Sequence, residues 1–183
     1  MAEEKIPIHY VCTHKEAKDL IKQNKKFWVS NCGCREGRDN KCVRSRIDVC
    51  LMFVASDEGS GSGKKSITRD EADEIMKEAE TKFLVARPFR NEKRTKTDGI
   101  CFCCDDCCGY FLTPDKYTSD KGQFIEKTDL SRCTDCGLCE EVCYFKARPM
   151  KDGKLVIDHH NCYGCGLCVK SCPEECIKMA KRK

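Results

Sequence analysis

The sequence predicts an α+β protein: a small cysteine-rich unit of alternating helices and strands, followed by a shorter unit that repeats itself. Three observations predict it. Two capping-box patterns open amphipathic stretches that alternate with β-branched and aromatic runs. Nineteen of the 183 residues are cysteine. A four-cysteine pattern near the C-terminus recurs about 29 residues on, a period that signals internal duplication. The boundaries this implies are a unit over 1–112, a linker over 113–122 and a second unit over 123–183.

Taken in order, Thr13-His14-Lys15-Glu16 is a capping box, and Ala17, Leu20, Ile21 and Asn24 follow at helical spacing, so a helix is expected from 14 to about 24. Phe27-Trp28-Val29 reads as a strand leading to Cys32 and Cys34. Residues 35–46 are polar and read as a loop carrying Cys42. Ile47 to Ala55 reads as a strand containing Cys50. The Gly-Ser-rich stretch 58–65 has the composition of a flexible loop. Thr68-Arg69-Asp70-Glu71 is a second capping box, with Ala72, Ile75, Met76 and Ala79 as the apolar stripe of a helix over 69–81. Phe83 to Phe89 is expected as a strand. Asp98-Gly99 is expected to turn the chain into Ile100-Cys101-Phe102-Cys103.

Composition argues against a large apolar core. The chain is 35% charged and 40% hydrophobic with cysteine included, and its mean hydropathy is −0.59. Cysteine is then expected to hold the fold. In a secreted chain such a density would mean disulfides. Against that, Met1 to Lys5 is polar and lacks the apolar region of a signal peptide. The cysteine count is also odd, and the cysteines fall in C-x2-C runs suited to metal ligation in a reducing cytosol. No apolar stretch approaches the roughly 18 residues of a membrane span. The expectation is a soluble, cytoplasmic metalloprotein. The formal charge of +4 is no argument for nucleic acid, because metal centres held by several thiolates carry negative charge that would offset it.

Each C-terminal repeat reads C-x2-C-x2-C-x3-C. Three closely spaced thiolates on a tight loop grip three irons of one cubane, and the fourth ligand must come from elsewhere, which the partner repeat of a duplicated unit supplies. Zinc sites are built from C-x2-C pairs closed by a distant pair and call for no such triplet.

The repeats are Cys133-Thr134-Asp135-Cys136-Gly137-Leu138-Cys139-Glu140-Glu141-Val142-Cys143 and Cys162-Tyr163-Gly164-Cys165-Gly166-Leu167-Cys168-Val169-Lys170-Ser171-Cys172-Pro173. On these residues the chain, from about Gln123 to Ala180, resembles the bacterial-type two-cluster ferredoxins. The resemblance implies a pseudo-twofold (βαβ)2 fold with two [4Fe-4S] clusters in crossed ligation. One cluster takes Cys133, Cys136, Cys139 and Cys172, and the other Cys162, Cys165, Cys168 and Cys143. Gly137 and Gly166 fit backbone that passes close to cluster sulfides. The first strands are expected at Phe124-Ile125 and Leu155-Val156-Ile157. The chain departs from the family pattern at Tyr144, where a proline is usual, and at Cys176, read as a buried non-ligand.

The N-terminal cysteines carry a weaker signal. The run Cys101-Phe102-Cys103-Cys104-Asp105-Asp106-Cys107-Cys108 is too dense for a chance core. Adjacent cysteines on an extended chain point opposite ways, so Cys103 and Cys104 need not share a metal. Cys104 and Cys107 form a C-x2-C pair for which Cys32 and Cys34 are the expected facing ligands. The candidate set for a third centre is Cys32, Cys34, Cys42, Cys50, Cys103, Cys104, Cys107 and Cys108, with iron–sulfur favoured over zinc and over free thiols. Through Cys32-Gly33-Cys34-Arg35, Asp48-Val49-Cys50-Leu51 and Cys103-Cys104 the unit is loosely similar to Cys-rich domains that precede ferredoxin modules in proteins of anaerobes. That similarity implies no activity. Arg35 reads equally as a sulfur partner or as an exposed loop residue. His9, Cys12 and His14 are expected at the surface, and His159 and His160 in a solvated turn. The basic run Arg87, Arg90, Lys93, Arg94 and Lys96 reads mainly as a solvated loop.

The function expected is electron transfer by a multi-cluster ferredoxin, free or as a subunit of a larger oxidoreductase. Its partners would be redox proteins, with no nucleic acid and no membrane span. The alternative is a redox enzyme or cluster-maturation factor whose N-terminal centre keeps an open site. A cluster-bearing regulator that binds nucleic acid ranks last.

Overall fold

Thr13 and Thr68 start the two long helices. The Thr13 amide donates to Glu16 Oε2 (2.8 Å) and the Glu16 amide to Thr13 Oγ1 (3.2 Å), opening α1 over His14–Gln23. Thr68 and Glu71 repeat the exchange at 2.7 and 3.2 Å for α3 over Arg69–Thr81. Each box satisfies amide groups that the first helical turn leaves open. Ala17 and Ile21 of α1, and Ala72, Ile75, Met76 and Ala79 of α3, are buried, so the spacing that predicts these helices also supplies the faces they bury.

The computed structural model describes residues 6–38, 42–55, 61–113 and 119–183. The Met1 to Lys5 segment, residues 56–60 with the start of the Gly-Ser-rich stretch, and 114–118 of the expected linker lie outside them. Seven strands form one sheet: β1 His9–Tyr10, β2 Phe27–Ser30, β3 Cys50–Met52, β4 Lys65–Ile67, β5 Val85–Arg90, β6 Thr97–Cys103 and β7 Ser119–Asp120. Their order is β4-β2-β3-β6-β5-β1-β7, antiparallel except for β1 with β7. Helices α1 and α3 pack on each other, and α1 also packs on β5. Two short helices, α2 Gly33–Glu36 and α4 Gly109–Leu112, lie between strands.

The core differs from the expectation drawn from composition. Val11, Ala17, Ile21, Phe27, Leu51, Met76, Ile100 and Phe102 belong to one continuous apolar cluster that also takes in Tyr144 and Leu167 from the duplicated segment. Mean hydropathy averages over the charged outer faces, whereas the two capped helices gather their apolar residues on one side. At roughly 25 cal/mol per Å² of apolar surface removed from water, such a cluster is a major source of stability.

Three local expectations are corrected. Asp98-Gly99 does not turn the chain: both residues lie inside β6, and the hairpin reverses between β5 and β6 at 91–96. Glycine serves close packing there, since a Cβ at Gly99 would stand 2.3 Å from Leu51 O and 2.3 Å from Phe89 Cζ. The strand expected over 47–55 is confined to β3. The loop expected from Arg35 onward begins inside α2, and 39–41 lie outside the described residues.

In the C-terminal segment β8 Phe124–Thr128 pairs antiparallel with β11 Ile177–Lys181, and β9 Met150–Lys151 with β10 Lys154–Leu155. Helices α5 Leu138–Glu141 and α6 Leu167–Ser171 follow the cysteine triplets. The element order is β-α-β-β-α-β. Two bonds tie this unit to the preceding chain, from Gly122 N, just past β7, to Tyr163 O (2.9 Å) and from Lys170 Nζ to Glu80 O of α3 (2.8 Å).

Candidate metal centres

Gly137 and Gly166 precede α5 and α6 with φ of 78° and 76°, a region open to glycine at little cost. Each turn swings the chain so that the third cysteine of its triplet faces the first two. Two cavities result. One is lined by Cys143, Cys162, Cys165 and Cys168, together with Phe145 and Tyr163. The other is lined by Cys133, Cys136, Cys139 and Cys172, with Cys176 beside them. Each cavity therefore gathers a triplet from one repeat and the last cysteine of the other.

The walls are largely apolar. Burial pushes the Cys165 thiol up to about 12 and raises that of Cys143, so without a cation these thiols would stay protonated. Four soft sulfur donors in an apolar-walled cavity are the donor chemistry of an iron–sulfur cubane. Arg148 lines both cavities and is 2% exposed. It pairs with Glu126 at 2.8 Å and hydrogen-bonds to Cys139. Nothing in the sequence marked this pair, because neither residue belongs to the cysteine motif.

A family model, described as a 4Fe-4S dicluster domain, matches residues 132–177. This segment is a 4Fe-4S dicluster domain. NADH-quinone oxidoreductase subunit I of Pelobacter propionicus is 27% identical, with 38% of this chain aligned to 46% of that protein. Pyruvate synthase subunit PorD of Methanothermobacter marburgensis is 36% identical over 61 residues, 33% of this chain and 67% of that one. The chain thus spans about half the length of the first relative and two thirds of the second. Among the described residues no helix is long and apolar enough to cross a membrane.

Around the dicluster domain, Cys176 is 4% exposed, with its Sγ 3.4 Å from Cys172 Sγ. Tyr144, in the usual proline position, is buried under the Arg44 guanidinium, 5.1 Å from the ring centre. His159 is half-exposed and bonds Glu126 Oε1 at 2.7 Å.

The N-terminal cysteines are split by the structure. Cys104 Sγ lies 3.5 Å from Cys107 Sγ and 3.7 Å from Cys42 Sγ. Cys34 hydrogen-bonds to Cys108 and to Cys32 instead, and Cys108 bonds Cys103. The pairing of Cys32 and Cys34 with Cys104 and Cys107 is therefore corrected. The two halves of the double cysteine run pack into different apolar clusters, Cys104 and Cys107 with the helices, Cys103 and Cys108 with Tyr110. Cys50 stands apart from both groups and bonds Cys101.

A third cavity is lined by Cys32, Cys34, Cys103 and Cys108 with Arg87 and Tyr110, and Cys101, Cys107 and Arg35 also reach its wall. Arg87, expected in a solvated loop, is 4% exposed. The register that pairs it with Cys101 makes Cys103 its diagonal neighbour on the same sheet face. Its Nη1 donates to Cys103 Sγ (3.8 Å) and Cys108 Sγ (3.6 Å), and its guanidinium lies 4.0 Å from the Tyr110 ring centre. Hydrogen bonds from Cys108 and then the Arg87 charge hold the Cys103 thiol below its ordinary value. His9 also lines this cavity, with its pKa lowered to about 4 by burial and by Arg87. Cys12 lies in the core at 1% exposure, and His14 Nε2 is 2.7 Å from Leu84 O. The surface placement expected for Cys12 is corrected.

An aromatic group separates the third cavity from the dicluster domain. Phe145 and Tyr163 stack at 4.5 Å and 11°. Tyr110 meets each of them at 6.1 Å edge-on.

Proposed function

We propose that this protein carries electrons, with two [4Fe-4S] clusters in the dicluster domain and a third iron–sulfur centre in the N-terminal unit. One cluster would be held by Cys133, Cys136, Cys139 and Cys172, the other by Cys143, Cys162, Cys165 and Cys168. The third would be held by Cys32, Cys34, Cys103 and Cys108. When bound, such clusters supply one-electron chemistry, and the chain sets their surroundings. The observation that carries this reading is the make-up of the two C-terminal cavities, each with a triplet from one repeat and the remote cysteine of the other.

The residues around the cavities support the same reading. Arg87 and Arg148 put a buried positive charge beside thiolates, which lowers the cost of burying the negative charge of a ligated cluster. Apolar walls exclude water and tune potential. Tyr110 on the third cavity packs against Phe145 and Tyr163 on the nearer dicluster cavity, so aromatic rings lie between the two. Of the 19 cysteines only Cys34 and Cys136 are exposed, one in the third cavity and one in the dicluster cavity that does not adjoin these rings. These two edges are where redox partners, free proteins or subunits of a larger oxidoreductase, would reach the centres.

Cysteine variants of the full chain, purified without oxygen, test the assignment. Cys143→Ala and Cys172→Ala should each lose about four irons and four sulfides per chain, and Cys176→Ala should lose none. Full iron in both of the first two variants would refute it.

A further inference from the structure

Cys42, Cys104 and Cys107 form a close thiol group at the edge of the third cavity, whose wall Cys107 shares, and we propose that they bind a single zinc ion, separate from the iron–sulfur centres. The inference rests on the reading of the N-terminal unit as metal-binding, and it adds a fourth site, its ion and its ligands.

Spacing is the first argument. The three sulfurs lie within 4.8 Å of one another, with contacts of 3.5 and 3.7 Å. A tetrahedral zinc with Zn–S bonds of about 2.3 Å holds its sulfurs about 3.8 Å apart. A cubane instead binds each thiolate through a different iron, so its ligand sulfurs stand farther apart. Among the described residues no other three candidate ligands come as close together as this group.

Charge is the second. Arg35 is 1% exposed. It donates to Arg46 O (2.5 Å) and Phe102 O (3.2 Å) and hydrogen-bonds to Cys107. Among the described residues no carboxylate pairs with it. A buried guanidinium is costly unless an anion lies beside it, and Arg35 faces both this thiol group and the third cavity. Three thiolates on a divalent ion carry a net charge of −1, and Arg35, shared with the third cavity, offsets part of it.

The scaffold is the third. Val43 N donates to Asp106 Oδ2 (2.8 Å), and Arg44 pairs with Asp105 at 3.0 Å. Both contacts tie the Cys42 segment to the turn that carries Cys104 and Cys107. Outer contacts of this kind hold ligand atoms in place before an ion arrives. The fourth position of the zinc falls to a ligand outside this thiol group.

The test is metal analysis of the full chain, purified anaerobically from zinc-supplemented medium, together with non-reducing peptide mapping. One zinc per chain is expected, lost in Cys42→Ser and Cys104→Ser with iron and sulfide unchanged. Replacing the zinc by Co2+ should give the visible absorption of a tetrahedral cobalt thiolate, absent in Cys42→Ser. Cys42 is only half-buried, so its variant keeps the test valid if Cys104→Ser does not fold. Background zinc in the wild-type chain, loss of iron in Cys42→Ser, or a Cys104–Cys107 disulfide would each overturn the proposal. The third iron–sulfur centre takes no part in these outcomes, and its own failure would show as unchanged iron in Cys34→Ala, a variant at an exposed cysteine.

Discussion

Arg148 Nη1 meets Glu126 Oε2 at 2.8 Å with both side chains 2% exposed, and the same arginine lines the two cysteine cavities of the dicluster domain. Removing one member of a buried ion pair strands the other, at a cost of about 3–5 kcal/mol. Glu126→Gln should therefore destabilise the chain by that order, read from anaerobic guanidinium unfolding. Arg148→Met withdraws a positive charge from beside both cavities. Voltammetry should find both dicluster potentials shifted negative, whereas a shift in one alone would place Arg148 beside a single cluster.

Gly164 and Asp135 hold corresponding positions in the two repeats, with φ of 80° and 53°. A Cβ at Gly164 would stand 2.0 Å from Phe124 O, so β8 would have to move. Asp135 tolerates its conformation and takes the Leu155 amide on Oδ1 at 2.9 Å. Gly164→Ala should cost more than about 2 kcal/mol, as strain and overpacking combine. At Gly137 the nearest atom to an added Cβ is Met150 Cγ, 3.9 Å away, and Gly137→Ala should cost only about 1 kcal/mol, the left-handed backbone term. Loss of cluster absorbance during unfolding would rank the two variants.

Burial holds the His14 pKa below its ordinary value, more than offsetting its bond to Leu84 O. The unfolded chain, with a histidine pKa of about 6.5, binds this proton more readily than the folded one. The contribution to stability is therefore present above about pH 6.5 and lost as pH falls through the folded value. His14→Gln lacks that proton. Between about pH 7.5 and 5 the wild type should lose more stability than the variant, and parallel loss in both would contradict this assignment.

The two long helices were legible because a capping box and an i, i+3, i+4 apolar stripe are local signals, and both sit in Thr13–Ile21 and Thr68–Ala79. The duplicated cysteine spacing was equally local. What stayed hidden depends on chain segments distant in sequence. Gly99 looked like a turn residue because its close approach to Leu51 and Phe89 is a matter of sheet register. Cys42 had no visible partner because its loop must fold back on the turn at 104–107. Arg87 read as one of five basic loop residues, yet the pairing of β5 with β6 puts it beneath Tyr110 and against two sulfurs.

Iron-edge anomalous diffraction from anaerobically grown crystals tests the central claim most directly. The account predicts a four-iron peak bonded to Cys162, Cys165, Cys168 and Cys143, and a second bonded to Cys133, Cys136, Cys139 and Cys172. Zinc in those eight positions, or a cluster held without the cysteine of the opposite repeat, would contradict it.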